Sequence, residues 1–326
     1  MGKGKEAKEL FLQGYNCSQS VVGAYAGRLG MDFDVAMKTA SSFGGGMGRL
    51  REVCGAVSGM FFVAGALYGY EDPKDPDAKK EHYERIQLLA SRFKKEAGSI
   101  ICRELLGLDG KDTSPTPSER TEEYYKKRPC PDKVALAAQI LEEYIKEEER
   151  KSLMEQFEFR TIHKNEADEA AQIEQICFPP HEACSRQAIK DRVENAPELF
   201  LVAVDKKNSK IAGFLNGLAT DEVSFRDEFF TDVKLHNPGG RHIMLLGLDV
   251  LPEYRNRGLA REIICQYLKR ERENGRELLV LTCLEEKVDM YKKMGFSDGG
   301  IANSSWGGEE WHEMRREVGE GVFVDI

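Results

Sequence analysis

Three arginines surround one glycine in Arg255-Asn-Arg-Gly-Leu-Ala-Arg261, directly after an apolar run and ahead of a helical pattern. A helix N-terminus leaves backbone N–H groups unpaired and carries the positive end of the helix dipole. The segment therefore reads as a phosphate site. Gly258 lets the main chain approach a pyrophosphate with no side chain in the way. The plain alternative is a solvated basic first turn, but basic residues are unusual at a positive helix end. A second set of reactive residues lies in the other half. Cys17, Cys54, Cys102 and Cys130 are far apart, with helical patterns between them. Thiols brought together by helix packing can form a disulfide or hold a metal, and either needs at least two of them close in space. The plain alternative is four small buried hydrophobes. None of the eight cysteines forms Cys-x-x-Cys, so the usual zinc signature is absent. Gly44-Gly-Gly-Met-Gly48 permits a tight turn beside a thiol, and a helix N-terminus there would lower its pKa. No Lys-Ser/Thr follows these glycines, so they make a poor phosphate loop.

The elements that must position these residues divide the 326-residue chain in two. Domains of roughly 100–200 residues are the norm, and the expected boundaries are 1–148 and 156–326. The first half reads as all-α. Apolar residues recur at helical spacing over 5–29, 51–67, 81–93 and 133–145, with Pro- and Asp-rich breaks at 72–77 and 110–119. The charged run Glu147-Glu-Glu-Arg-Lys-Ser reads as a linker or a frayed helix end. The second half reads as α/β, a mixed sheet flanked by helices. Its strands are expected at 157–162, 199–204, 211–218, 242–251 and 278–283, with two short ones near 295–302 and 310–317. Its helices are expected at 166–177, 185–195, 256–273 and 286–294.

Composition removes several function classes. A formal net charge of −9 argues against a nucleic-acid surface, which needs a basic stripe. It gives an anionic ligand no global attraction, so any phosphate site is local. The most apolar run, 57–68, is too short to span a bilayer. The N-terminus lacks the pattern of a signal peptide, and position 6 is Glu, which breaks the myristoylation pattern. We expect a cytoplasmic protein without nucleic-acid or membrane partners; a homodimer is left open.

The Arg-x-x-Gly-x-Ala motif, the preceding Pro252-Glu-Tyr254 and the later Tyr291-Lys-Lys-Met-Gly-Phe296 resemble the two signature segments of the GNAT acetyltransferase superfamily. Within it, Ala196-Pro-Glu-Leu-Phe200, Leu235-His-Asn-Pro-Gly-Gly240 and Val288-Asp-Met-Tyr291 are similar to arylalkylamine (serotonin-type) N-acetyltransferases. The resemblance implies a GNAT-type fold and direct attack of an amine on acetyl-CoA. It implies that the main chain of Leu248, Asp249 and Val250 holds the pantetheine arm. The turn of Arg255, Asn256, Arg257, Gly258, Leu259, Ala260 and Arg261 would hold the pyrophosphate. Tyr291 would protonate the departing thiolate. The two histidines that vertebrate members use as a proton relay are replaced by Met244 and Leu246. The remaining base candidates are Glu182, in a loop resembling that of insect dopamine acetyltransferases, and His242, one step along the strand face from Met244. Phe178, Trp306 and Trp311 fall at or near positions that line the amine pocket, beside Met244 and Leu246. They suit a small-molecule amine with an aromatic end.

The first half, over about 8–145, resembles the C_GCAxxG_C_C family, described as redox-active. The resemblance rests on Asn16-Cys-Ser-Gln-Ser20, the glycine cluster 44–48, Cys54-Gly-Ala-Val-Ser-Gly59, Cys102 and Cys130. This chain has Cys-Gly-Ala where the family name has Gly-Cys-Ala. Taken together, the expectation is an amine N-acetyltransferase fused to a helical unit that carries a disulfide or a metal. The alternative is a redox or metal sensor whose second half binds acetyl-CoA without catalysis.

Overall fold

The structure is a computed structural model that describes residues 2–108 and 114–319. The chain forms two compact units, Met1–Glu147 and Glu148–Ile326.

The first unit is helical. α1 (Lys3–Leu12) buries Ala7 and Phe11, and α2 (Cys17–Tyr25) follows a short turn. The helical spacing over 5–29 thus resolves into separate helices, for a local reason. Asn16 accepts from the backbone N–H groups of Ser18 and Gln19, and the Gln19 side chain accepts from Asn16 N–H. This capping box restarts the helix at Cys17. α3 (Phe33–Ala40) and an irregular turn, α4 (Gly44–Met47), lead to α5 (Gly55–Tyr68), the apolar run, with eight buried residues. α6 (Pro76–Ala97) starts inside the expected break at 72–77, because Asp75 caps it and Pro76 suits its first turn. α7 (Cys102–Leu105) and α8 (Glu122–Lys127) are short. The break at 110–119 lies partly outside the described residues. α9 (Cys130–Gln156) runs unbroken through the charged run. That run, expected as a linker or a frayed helix end, is helical throughout, since its Glu, Lys and Arg are good helix formers. Phe11, Val21, Val57, Met60, Phe93 and Leu141 are among the fully buried residues of the core.

The second unit is a seven-stranded sheet with strand order β1-β2-β3-β4-β5-β7-β6. The strands are β1 (Phe157–Thr161), β2 (Phe200–Asp205), β3 (Lys210–Thr220), β4 (His242–Val250), β5 (Leu278–Cys283), β6 (Ser297–Ile301) and β7 (His312–Glu317). All neighbours run antiparallel except β4 and β5, which are parallel. α10 (Ala167–Cys177), α11 (Arg186–Asn195) and the short α12 (Glu228–Thr231) supply one apolar cluster, with Ala170, Ile189 and Phe229. α13 (Leu259–Glu273) and α14 (Glu285–Lys293) supply the other, with Ile263, Tyr267 and Val288. The all-α and α/β assignments both hold.

β4 carries the feature that organises this unit. Its register against β3 shifts between Asn216 and Gly217, leaving Leu246 as a bulge between Leu245 and Gly247. A one-residue shift reverses the faces beyond it. Met244 and Leu246 point into the α10 cluster, but Leu248 and Val250 point into the α13 cluster. β4 pairs with β5 only over His242–Met244. From Leu245 onward the two strands diverge as a fork.

Candidate functional site

The diverging half of β4 ends at the basic turn. Asn256 and Gly258 both have left-handed backbone, with φ of 61° and 83°. They stand before the helix, which starts at Leu259 and not at 256 as the sequence pattern suggested. Alternation of left-handed residues turns successive N–H groups to one side, forming an anion-binding nest. No side chain caps α13, so its first N–H groups remain available. Arg255 and Arg257 are exposed, and Arg261 is half-buried. Arg255 donates from Nε to the Val250 carbonyl at 2.8 Å, tying the turn to the strand end. A strand stretch unpaired on its β5 side and an uncapped helix start suit an extended ligand that ends in phosphates.

Tyr291, on α14, belongs to the fork. Burial pushes its phenol up, and Cys283 on β5 and Asp249 on β4 add to the effect. The phenol thus holds its proton at neutral pH.

Sequence reasoning missed a buried polar cluster behind the bulge. Asp249 is fully buried and neither carboxylate oxygen has a hydrogen-bond partner. Asp249 Oδ2 and Glu174 Oε2 lie 3.0 and 3.3 Å from the point that a Cβ on Gly247 would occupy. The nearby Cys177 thiol donates to the Val250 carbonyl instead. Glu174 accepts from Cys184 N–H at 2.8 Å, and Arg192 donates to Asn216 Oδ1 at 3.0 Å. Burial, then the neighbouring carboxylate of Glu174, pushes Asp249 well up, and burial raises Glu174 too. The available signal was an acid within an apolar strand and another on an apolar helix face.

This pair yields a stability prediction. A carboxyl with a raised folded pKa binds protons better in the folded state. Its contribution is fully present below the unfolded value and is lost as pH rises through the folded value. Asp249→Asn removes one of the acids. We expect the variant to gain about 1–3 kcal/mol over the parent at pH 8, with the gap closing toward pH 4. Thermal unfolding of both proteins across that range checks it; a gap that does not depend on pH would refute it.

On the α10 side, the loop after Phe178 carries Glu182. Trp311 donates from Nε1 to the Trp306 carbonyl at 2.8 Å, and Trp306 donates from Nε1 to the Glu182 carbonyl at 2.7 Å. These bonds fix the loop. The Glu182 side chain is about one-tenth exposed, with His181 Nε2 3.5 Å from its Oε1. Trp306 stacks on Phe230 at 4.8 Å and packs on the cluster that contains Met244 and Leu246. Phe178 is half-buried nearby in sequence, whereas Trp311 is buried. His242 lies at the paired end of β4, its Nδ1 2.9 Å from the Glu222 carbonyl. It stands two residues before Met244, inside the closed part of the fork.

In the first unit the four cysteines meet. Cys17, Cys54, Cys102 and Cys130 line one cavity, with Leu105, Leu106, Pro129 and Lys133. Cys17 opens α2, Cys54 caps α5 and Cys130 opens α9, so three long helices direct their positive ends at the thiols. Gly46, at φ 76°, brings the glycine-rich turn against Cys102; a Cβ there would sit 2.6 Å from that of Cys102. The neighbouring Cys130, then burial, hold the Cys17 thiol well above its usual value. Cys17 beside it, together with Arg128, Arg120 and Arg51, brings Cys130 down to about 7. Burial pushes Cys54 up to about 12. The arginines escaped sequence reasoning, since they come from separate segments.

The comparisons agree with this division. Residues 15–144 match the family model described as "Putative redox-active protein (C_GCAxxG_C_C)", and residues 167–296 match "Acetyltransferase (GNAT) family". None of the curated proteins matches the chain. Among solved structures, the loading GNATL domain of CurA from Lyngbya majuscula is 14% identical. It covers 50% of this chain and 98% of its own, with a TM-score of 0.44. Ard1 from Thermoplasma volcanium is 18% identical, covering 50% and 99%, with a TM-score of 0.40. The GNAT family N-acetyltransferase YhbS from Escherichia coli, solved with CoA, is 18% identical, covering 52% and 86%, with a TM-score of 0.37. The chain therefore carries a C_GCAxxG_C_C domain toward its N-terminal end and an acyltransferase domain of the GNAT family toward its C-terminal end.

Proposed function

We propose that the second unit moves an acetyl group from acetyl-CoA to a primary amine by direct attack. The observation that carries this reading is the fork, with the uncapped basic turn after the open end of β4 and Tyr291 packed on the same apolar cluster as Leu248 and Val250. The side of Leu248 to Val250 that faces away from β3 receives the pantetheine arm, and the nest at 256–261 receives the pyrophosphate. Glu182 takes a proton from the incoming ammonium, the neutral amine attacks the thioester carbonyl, and the Tyr291 hydroxyl protonates the leaving sulfur. His242 stands at the paired end of β4, away from the open part of the fork, which leaves it the weaker base candidate. Trp306, Phe230 and Phe178 favour an acceptor with an aromatic end, of the arylalkylamine kind. The first unit we read as a thiol centre, redox-active or metal-binding, supported by the cavity that four cysteines share.

Coenzyme A release, followed by chromatography across a panel of arylalkyl, alkyl and peptidyl amines, tests the reaction. Acceleration by an arylalkyl amine over water is the expected result; no acceleration by any amine would reject the reading. Glu182→Gln lowers turnover by about tenfold, less than the ~10²–10⁴ of a fully enclosed acid–base group, because solvent can reach the loop. His242→Asn leaves turnover near the parent value. The reverse order of effects would transfer the base role to His242.

A further inference from the structure

The four thiols are not equivalent. Cys54 and Cys102 are buried, whereas Cys17 and Cys130 are half-buried and reachable. Both reachable thiols line the same cavity, each as the first residue of a helix. A metal would want three or more ligand atoms gathered together. Among the described residues, the one group of three or more such atoms within 4.8 Å of one another is His181, Glu182 and Glu309, not the cysteines. The geometry favours a pair.

The surroundings of the pair are basic in a chain of formal charge −9. Arg51, Arg120 and Arg128 act on Cys130, and Lys133 lines the cavity. The helix ends of α2, α5 and α9 add positive potential. The cavity itself has room for about one water molecule, roughly 20 Å³. A reagent must therefore meet the sulfurs at the mouth.

We propose that Cys130 and Cys17 are the working dithiol of the first unit and exchange with a small anionic disulfide at the mouth of this cavity. The proposal deepens the thiol-centre reading and rests on it. The Cys130 thiolate attacks one sulfur of the disulfide RSSR. The S–S bond breaks, the first RS⁻ leaves and takes a proton from solvent, and Cys130 carries a mixed disulfide. Cys17 then attacks the Cys130 sulfur. Its proton goes to the second RS⁻, and the Cys17–Cys130 bond forms. The protein loses two electrons and RSSR becomes two RSH. Cys130 thus attacks first, and Cys17, lining the same cavity, resolves the intermediate. The low value of Cys130 keeps much of it ionised near neutral pH.

The test uses the full chain and glutathione disulfide, read by intact mass and peptide mapping. The expected product in the parent is one Cys17–Cys130 link. Cys17→Ser should instead hold glutathione on Cys130, and Cys130→Ser should form no Cys17 adduct at a comparable rate. Cystamine, a cationic disulfide, should react at least about tenfold more slowly at low salt. Circular dichroism on each variant confirms folding, and the Cys17→Ser trap gives the same answer if Cys130→Ser fails to fold. A link between Cys54 and Cys102, or glutathione trapped on another cysteine, overturns the assignment while the thiol-centre reading stands. Equal rates with the two disulfides overturn the anionic preference. Four thiols that neither link nor react, before and after chelation, overturn both the assignment and the reading beneath it.

Discussion

Tyr291→Phe lowers turnover by about 10²–10⁴ while acetyl-CoA affinity stays at the parent level. The substitution keeps the ring that packs edge-on against Phe296 at 5.5 Å, and removes only the hydroxyl. Fold and binding should therefore survive. What is lost is the proton for the departing sulfur. Burial, Cys283 and Asp249 all hold the phenol protonated, so at neutral pH the group is a donor and not a base. The loss should thus be flat across neutral pH, since the phenol does not titrate there. Single-turnover acetyl transfer, with calorimetry for binding, separates the two effects. Full activity in the variant would hand the proton transfer to water; weakened binding with normal turnover of the bound complex would make the hydroxyl a binding group.

Gly258→Val weakens acetyl-CoA binding by about ten- to a hundredfold. The structure changes the reason for this expectation. Crowding is slight, since a Cβ at Gly258 would meet only Leu153 Cδ1 at 3.7 Å. The backbone is the obstacle. A β-branched residue at φ 83° costs about 1–3 kcal/mol, and the cheapest relief is to leave the left-handed region. That rotation turns the nest away from the pyrophosphate. Gly258→Asn, which tolerates the left-handed conformation, should lose clearly less. Calorimetry on both variants decides the matter: equal affinities for parent and valine variant would remove the turn from the binding site.

What could be read in advance was local. The strand before the basic turn and the tyrosine helix depend on neighbouring residues and stand within a residue of where their patterns put them, whereas the helix after the turn starts three residues late, at Leu259. The capping box at Asn16 was legible in principle, yet the apolar spacing across 5–29 masked it. The charged run at 147–152 misled because charge suggests solvent, while the same side chains sustain a helix. Distant contacts were not legible. No spacing tells that α10 delivers Glu174 to Asp249, or that Arg51, Arg120 and Arg128 gather around Cys130. The bulge at Leu246 is equally silent in an apolar run, although it sends Asp249 toward α10 and opens the fork.

The fork also gives this sheet three edges. The outer two are guarded in the ordinary way. β1 carries the exposed or half-exposed charges Glu158 and Arg160, and β6 is short, glycine-bearing and irregular in register between Asp298 and Ile301. The third edge lies in the middle of the sheet, along the β5 side of Leu245 to Val250, where Arg255 and Cys177 donate to the Val250 carbonyl at its end. An unprotected edge is a template for any extended chain, including a second copy of the same protein. A pantetheine arm laid along it would act as a removable strand. Were the arm to bind there as proposed, it would cover this edge as a neighbouring strand covers any other.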